Sequence, residues 1–118
     1  KELLEQNGMI AAGSDFPVEH INPLFGFYAA VARRDQKNFP ENRFQPENAL
    51  TREQALRAMT IWSAYAAFAE TETGSLETGK NADFVILNED IMQMPEEKIW
   101  NVKVVATYLN GKKVYSED

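Results

Sequence analysis

The dipeptide Asn110-Gly111 is the feature that most limits how the last third of this chain can fold. It stands between two runs of β-branched, aromatic and other strand-compatible residues, 102–109 and 112–115. Asparagine and glycine both tolerate positive φ, so this pair is a preferred turn of a two-residue β-hairpin. A third such run, 82–87, precedes the hairpin. The sequence therefore predicts a small antiparallel sheet at the C-terminal end.

The first third follows a different pattern, in which helical segments flank a short apolar run. The opening residues are predicted to be the tail of a helix that ends at Gly8, where glycine can adopt the left-handed conformation. Residues 9–14 are all apolar or small, which predicts a strand buried on both faces. Asn22 and Pro23 suit a helix N-cap and a first helical position, so we expect a helix over about 23–34. This order is typical of parallel α/β proteins.

The middle of the chain combines a long loop with a capped helix. Residues 35–49 contain two prolines and few apolar side chains, which indicates an extended loop. Thr51 and Gln54 have the spacing of a capping box. We expect one broadly buried helix to run from there to about Glu70, followed by a turn-rich connection over 71–80.

Composition excludes some classes of binding partner and of metal site. The chain has 118 residues and a net charge of -6, which gives no general attraction to nucleic acid or to anionic membrane surfaces. It has no cysteine, so cysteine-based zinc sites are excluded. We take the cytoplasm as a default location. The start lacks signal-peptide features and an initiator methionine, from which we expect a cut made inside a longer chain.

Asp15 is the main candidate for chemistry. It follows the predicted strand directly, and in α/β proteins ligands gather at the carboxyl ends of strands. A carboxylate there can bind a divalent metal and can accept a proton from an activated water molecule. The structural alternative is an Asx-turn, in which the side chain bonds only to loop N–H groups.

His20 is the single histidine of the chain. It could serve as a ligand or as a base, because its ordinary pKa lies near neutrality. A histidine site within this chain would have no second histidine or cysteine to complete it. The pattern favours a loop residue that packs or hydrogen-bonds locally.

Three segments together resemble the amidohydrolase superfamily, in the branch often called the third amidohydrolase family. The last one is similar to the G-S-[IL]-E-x-G-K-x-A-D-[FL] signature that joins the barrel of these enzymes to a small β-sandwich. The order and spacing of the segments match over essentially the whole chain. They are GSDFPV at 13–18 with Asn-Pro at 22–23, LTREQAL at 50–56, and GSLETGKNADFVIL at 74–87.

The resemblance implies an α/β fold: the C-terminal fragment of a (β/α)8 TIM barrel plus part of a small antiparallel β-sandwich. Residues 1–73 would be the end of the barrel, with 9–14 as its eighth strand, and residues 74–118 would be strands of the composite sandwich. Asp15 would then be the catalytic carboxylate that also binds a divalent metal, commonly zinc. The implied reaction is hydrolysis of non-peptide C–N bonds in a small-molecule substrate.

The remaining ligands of such a site would lie upstream, so we expect this fragment alone to bind no metal and to be inactive. One barrel strand cannot pair its own backbone groups, and we expect the isolated chain to self-associate through strand edges or apolar helix faces. Two alternatives stay open. The chain could be a stand-alone interaction domain without catalysis, or the whole protein could be a barrel without a metal.

Overall fold

The computed structural model describes residues 1–117, and it contains short helices followed by one small sheet. None of the helices within these residues is long and apolar enough to cross a membrane. The helices are α1 Glu2–Asn7, α2 Pro23–Ala32, α3 Arg52–Met59 and α4 Ile61–Ala66, with 3-10 helices at Pro46–Asn48 and Glu96–Asn101. The strands are β1 Phe84–Leu87, β2 Val104–Leu109 and β3 Lys112–Ser116.

Helix α2 forms the centre of the core. It begins as predicted, because the Asn22 side chain accepts a hydrogen bond from the backbone N–H of Leu24 at 3.0 Å and proline occupies the first position. It ends two residues earlier than predicted, where Arg33 adopts φ 54°. Its buried side chains pack against residues of α3 and of the segment around the second 3-10 helix; the buried cluster is Leu24, Phe27, Tyr28, Val31, Ala32, Ala55, Ile91, Ile99 and Val102.

The strand predicted over residues 9–14 is absent from the described part of the chain. This segment has no regular structure, and its residues are exposed or half-buried. Two hydrogen bonds hold it at Ala12, whose N–H donates to the Ala58 carbonyl at 2.9 Å and whose carbonyl accepts from the Ser63 hydroxyl at 3.1 Å. A strand needs a neighbouring strand to complete its ladder, and this segment lies against helices instead. The prediction of a buried strand was wrong for this chain.

The single helix expected over 51–70 is divided in two. Its start is confirmed, since Thr51 and Gln54 form both hydrogen bonds of the capping box. The backbone turns at Thr60, with φ -126° and ψ -100°, and the Thr60 hydroxyl donates to the Leu56 carbonyl at 2.6 Å. Hydroxyl side chains that bond to backbone carbonyls compete with the helical pattern. Broad burial was also wrong, because the buried residues of α3 and α4 are Ala55, Ala58 and Ala64.

The antiparallel sheet is confirmed. Its strand order is β1-β2-β3, and the turn residues Asn110 and Gly111 have φ 49° and 73°, as a two-residue hairpin requires. The turn is tied back to the start of β1, because Asp83 Oδ1 accepts from the Asn110 N–H at 2.7 Å and the Gly111 N–H donates to the Ala82 carbonyl at 2.9 Å.

Three side chains within the connection between α4 and β1 contact one another and hold it in place. The Lys80 ammonium donates to the Ser75 hydroxyl at 2.7 Å and lies 2.9 Å from Glu77 Oε2, while the same hydroxyl donates to Glu77 at 3.0 Å. These hydrogen bonds hold the pKa of the Glu77 carboxyl below its usual value. The serine, glutamate and lysine of this motif therefore have a structural explanation within the loop itself.

Substitution of Gly74 tests how closely this loop packs against α4. It has φ 87°, and a Cβ atom added there would lie 2.7 Å from the Ala64 Cβ and 3.0 Å from the Ile61 Cα. Gly79 is the matched control, because it has φ 95° and no atom within 4 Å of an added Cβ. Both substitutions by alanine pay the strain of positive φ, but Gly74→Ala also overpacks the contact with α4. We expect it to lower the free energy of unfolding by about 1 to 3 kcal/mol more than Gly79→Ala.

Urea unfolding followed by far-ultraviolet circular dichroism measures both variants against the unaltered chain. Equal destabilisation by the two substitutions would contradict the close packing of Gly74 on α4.

Candidate functional site

Asp15 opens the loop that joins residues 9–14 to helix α2. It is exposed and has φ 51°, a conformation that aspartate tolerates better than most residues. Its backbone carbonyl accepts a hydrogen bond from the Val18 N–H at 2.9 Å and so closes a turn. No hydrogen bond described within residues 1–117 uses its carboxylate. The Asx-turn alternative is therefore not what the structure shows, and the carboxylate is available for other contacts.

His20 lies near the other end of the same loop, next to the helix cap. Its Nδ1 accepts a hydrogen bond from the Asn22 N–H at 3.0 Å, and its ring packs at 4.8 Å, between centroids, from the ring of Phe25. The expected local packing and hydrogen bonding are both present. Because Nδ1 acts as an acceptor, the neutral imidazole carries its proton on Nε2.

A cavity of about 540 Å³ runs beside this loop and along α2. This volume is within the range of small-molecule sites. Ser14, which precedes Asp15 directly, is part of its wall. The side chains that line the cavity and carry hydrogen-bonding groups are Ser14, Glu19, His20, Tyr28, Arg34, Asp35, Gln36 and Lys37.

The far wall of the cavity is fixed by its own hydrogen bonds. The Tyr28 hydroxyl donates to Asn38 Oδ1 at 2.7 Å, and burial raises the pKa of Tyr28, so it stays protonated near neutral pH. The Arg34 guanidinium donates to the Glu41 carbonyl. The Asp35 carboxylate accepts the backbone N–H groups of Lys37 at 2.8 Å and Phe39 at 2.9 Å. These contacts shape the first part of the long loop into a wall.

Sequence reasoning missed Tyr28 and the 34–37 segment as cavity residues. Tyr28 lies three positions after Phe25 in α2, and side chains at this spacing share a helix face. That spacing, together with the loop that follows the helix, was the feature of the sequence that could have indicated these cavity residues. The side of the helix on which the cavity lies depends on tertiary packing and is not visible in the spacing.

The described residues do not form a metal site by themselves. Within residues 1–117, no group of three or more histidine, cysteine, aspartate or glutamate residues could hold a metal ion. Asp15 offers a carboxylate, but the Nδ1 atom of His20 is already used as an acceptor. The structure thus places His20 and Ser14, the residue before Asp15, in the wall of one cavity. Within residues 1–117 it brings no group of three candidate metal ligands together.

Comparison with known proteins gives matches along almost the entire chain. It is 39% identical over 115 residues to the protein LONG AFTER FAR-RED 3 of Arabidopsis thaliana, a match that covers 98% of this chain and 19% of that protein. It is 30% identical over 111 residues to the N-substituted formamide deformylase of Arthrobacter pascens, covering 94% of this chain and 20% of that protein. The chain thus spans about a fifth of the length of these relatives.

A solved structure and a family model agree with these matches. The crystal structure of an amidohydrolase from Thermotoga maritima MSB8 superposes with a TM-score of 0.63 at 23% identity, covering 98% of this chain and 25% of that one. This likeness shows that the small α/β arrangement is part of a larger known fold. The model of the amidohydrolase family matches residues 1–115. The chain therefore belongs to the amidohydrolase family.

Proposed function

We propose that this chain is the C-terminal portion of a hydrolase that cleaves non-peptide C–N bonds in small molecules, with Asp15 as a catalytic carboxylate. The observation that carries this proposal is that Asp15 directly follows Ser14, a residue of the cavity wall, and that no hydrogen bond described within residues 1–117 uses the Asp15 carboxylate. Membership of the amidohydrolase family supports hydrolysis. The name of the Arthrobacter relative, a deformylase of N-substituted formamides, supports an amide-type bond.

The proposed role of Asp15 is to move one proton. As the oxygen of a water molecule bonds to the carbonyl carbon of the substrate, the carboxylate takes the proton that the water loses. The same proton can then pass to the nitrogen of the leaving amine when the C–N bond breaks. The exposed position of Asp15 allows water and substrate to approach it from the loop side.

We also propose that the complete protein holds a divalent metal, with zinc as the first choice, and that Asp15 is one of its ligands. Other ligands would have to come from residues outside this chain, because residues 1–117 do not bring three candidate ligands together. We expect the isolated chain to bind no metal and to show no turnover. The proton chemistry assigned to Asp15 does not depend on the identity of the ion.

The place of this chain in a larger fold follows from the same proposal. Residues 1–73 would end a (β/α)8 barrel, with residues 9–14 pairing as a strand once neighbouring strands are present. Residues 74–118 would belong to a composite β-sandwich. The exposed apolar side chains of the sheet support a second layer, since Val85, Leu109 and Val114 are each about half exposed here.

One observation favours the alternative function of an interaction domain. Phe39 and Phe44, both in the long loop between α2 and α3, are exposed. Large exposed aromatic side chains are common in protein interfaces. Under this alternative the loop docks a partner protein, and substitution of Asp15 has no catalytic effect.

The test of the catalytic role is Asp15→Asn in the longer protein that contains this chain. Asparagine keeps the size of the side chain but cannot accept a proton. We expect kcat for hydrolysis of N-acyl amines to fall at least about 100-fold, the usual contribution of one general acid–base group. The metal content, measured by elemental analysis, should fall in the same variant.

Glu89→Gln is the matched control, because Glu89 is an exposed carboxylate distant in sequence from the site. It should retain the turnover and metal content of the unaltered protein. Full turnover in the Asp15→Asn protein would exclude the proposed role of this carboxylate.

Self-association of the isolated chain is a further part of this proposal, and we take a second copy of the chain as the partner. Phe68 is 93% exposed and Val18 is 77% exposed, and exposed apolar side chains of this size can be covered when two copies associate. Strand β3 also forms an edge of the sheet with every residue exposed. Both features would bring two copies together at moderate concentration.

Sedimentation velocity at tens of micromolar should show dimers or larger species. Phe68→Asn should shift the distribution toward the monomer, because it removes apolar surface at a residue with φ 57°, a conformation that asparagine adopts readily. Glu72→Gln, a nearby exposed polar change, should leave the distribution unchanged. A monomer at every concentration would contradict self-association.

A further inference from the structure

His20 offers the cavity one particular hydrogen-bonding group. Its Nδ1 lone pair is occupied by the Asn22 N–H at 3.0 Å, so the neutral ring carries its hydrogen on Nε2. In this state Nε2 is a donor, and it can act neither as a proton acceptor nor as a metal ligand. The chemistry that His20 can supply to a bound molecule is therefore a hydrogen bond to an acceptor atom.

The imidazole is held in place from two sides. The bond to Asn22 ties it to the N-cap of α2, and the Phe25 ring, 4.8 Å away between centroids, packs against it from the first turn of the same helix. A side chain that is fixed in this way loses little conformational freedom when it binds a ligand. His20 and Ser14 line the same cavity, and Ser14 adjoins Asp15.

The charges around the cavity indicate what kind of acceptor it suits. Its wall contains two carboxylates, Glu19 and Asp35, and two cations, Arg34 and Lys37. The Asp35 carboxylate and the Arg34 guanidinium are also engaged in the hydrogen bonds that shape the loop. The balance of charge gives no net attraction for an anionic or cationic ligand. An uncharged polar group fits this wall better than an ion.

From these observations we propose that His20 is a substrate-binding residue whose Nε2–H donates to the carbonyl oxygen of an uncharged N-substituted amide in this cavity. The proposal rests on the proposed function, and it adds the substrate class and a second residue to that site. The Nε2–H group would orient the carbonyl group of the substrate, while the Asp15 carboxylate accepts the proton of the water molecule. The charges of this wall would not strengthen the binding of a substrate that has a charged group next to the amide.

The 118-residue chain allows a direct test, because it contains one histidine and the imidazole signals need no assignment. Nitrogen-15 NMR of histidine-labelled chain should show the tautomer with hydrogen on Nε2. Titration with N-benzylacetamide, an uncharged amide probe, should shift the Nε2 resonance and give a dissociation constant. N-acetylglycine, an anionic amide, should bind more weakly than N-benzylacetamide.

Two variants distinguish the effect of the His20 hydrogen-bond donor from the effect of its ring packing against Phe25. His20→Phe keeps an aromatic ring beside Phe25 but has no donor, and we expect it to weaken probe binding about fivefold to tenfold, the effect of one lost hydrogen bond. His20→Gln retains an N–H donor at a similar reach and should stay within about threefold of the unaltered chain. Circular dichroism of both variants checks that α2 and the sheet are preserved.

Several results would overturn the proposal. These are hydrogen on Nδ1 in the free chain, no binding of the amide probe, an unshifted Nε2 resonance at saturation, or equal affinity in the His20→Phe chain. None of them requires hydrolysis, so they leave the Asp15→Asn experiment independent. Loss of turnover in Asp15→Asn together with unchanged probe binding in His20→Phe would keep the proposed function and exclude this role of His20.

Discussion

The packing of helix α2 against the segments that follow it is the constraint on which the rest of the structure depends. Phe27 and Tyr28 are almost fully buried, and they share the core with Ala55 of α3 and with Ile99, which lies far along the chain. Burial of such side chains is worth about 1.5 to 3 kcal/mol each. The helix therefore fixes both ends of the candidate site, because the loop with Asp15 leads into its N-terminus and the cavity wall leaves from its C-terminus.

Features determined by a few neighbouring residues could be predicted from the sequence. The capping box of Thr51 and Gln54 and the turn at Asn110-Gly111 need only local hydrogen bonds and the φ angles that these residue types tolerate. The predictions that failed were those that needed distant partners. Residues 9–14 have the composition of a buried strand, but Ala12 hydrogen-bonds to residues of α3 and α4. The helix expected over 51–70 is divided at Thr60, where the backbone turns although the apolar spacing continues past it.

The candidate site also has one part that could be predicted from the sequence and one part that could not. That Asp15 directly follows a short apolar segment could be read from the sequence, because this depends on chain order alone. The cavity was not readable, since it requires Tyr28, Arg34 and the turn at Asp35 to come together through burial and through bonds to backbone carbonyls and N–H groups. The tautomer of His20 depends on the direction of one backbone N–H at the helix cap, and the sequence indicates only that a cap is there.

Hydrogen bonds of the fold hold the two ends of the loop that contains Asp15, and none described within residues 1–117 holds the Asp15 carboxylate. Asn22 caps α2 and Ala12 is bonded to α3 and α4, whereas the Asp15 side chain is exposed between these two anchors. An exposed carboxylate keeps its hydration, and removing that hydration is costly unless partners replace it. A carboxylate on an anchored loop that is left in water can exchange water for another partner without breaking any hydrogen bond described within residues 1–117. This arrangement keeps the stability of the fold separate from any contact that the carboxylate makes.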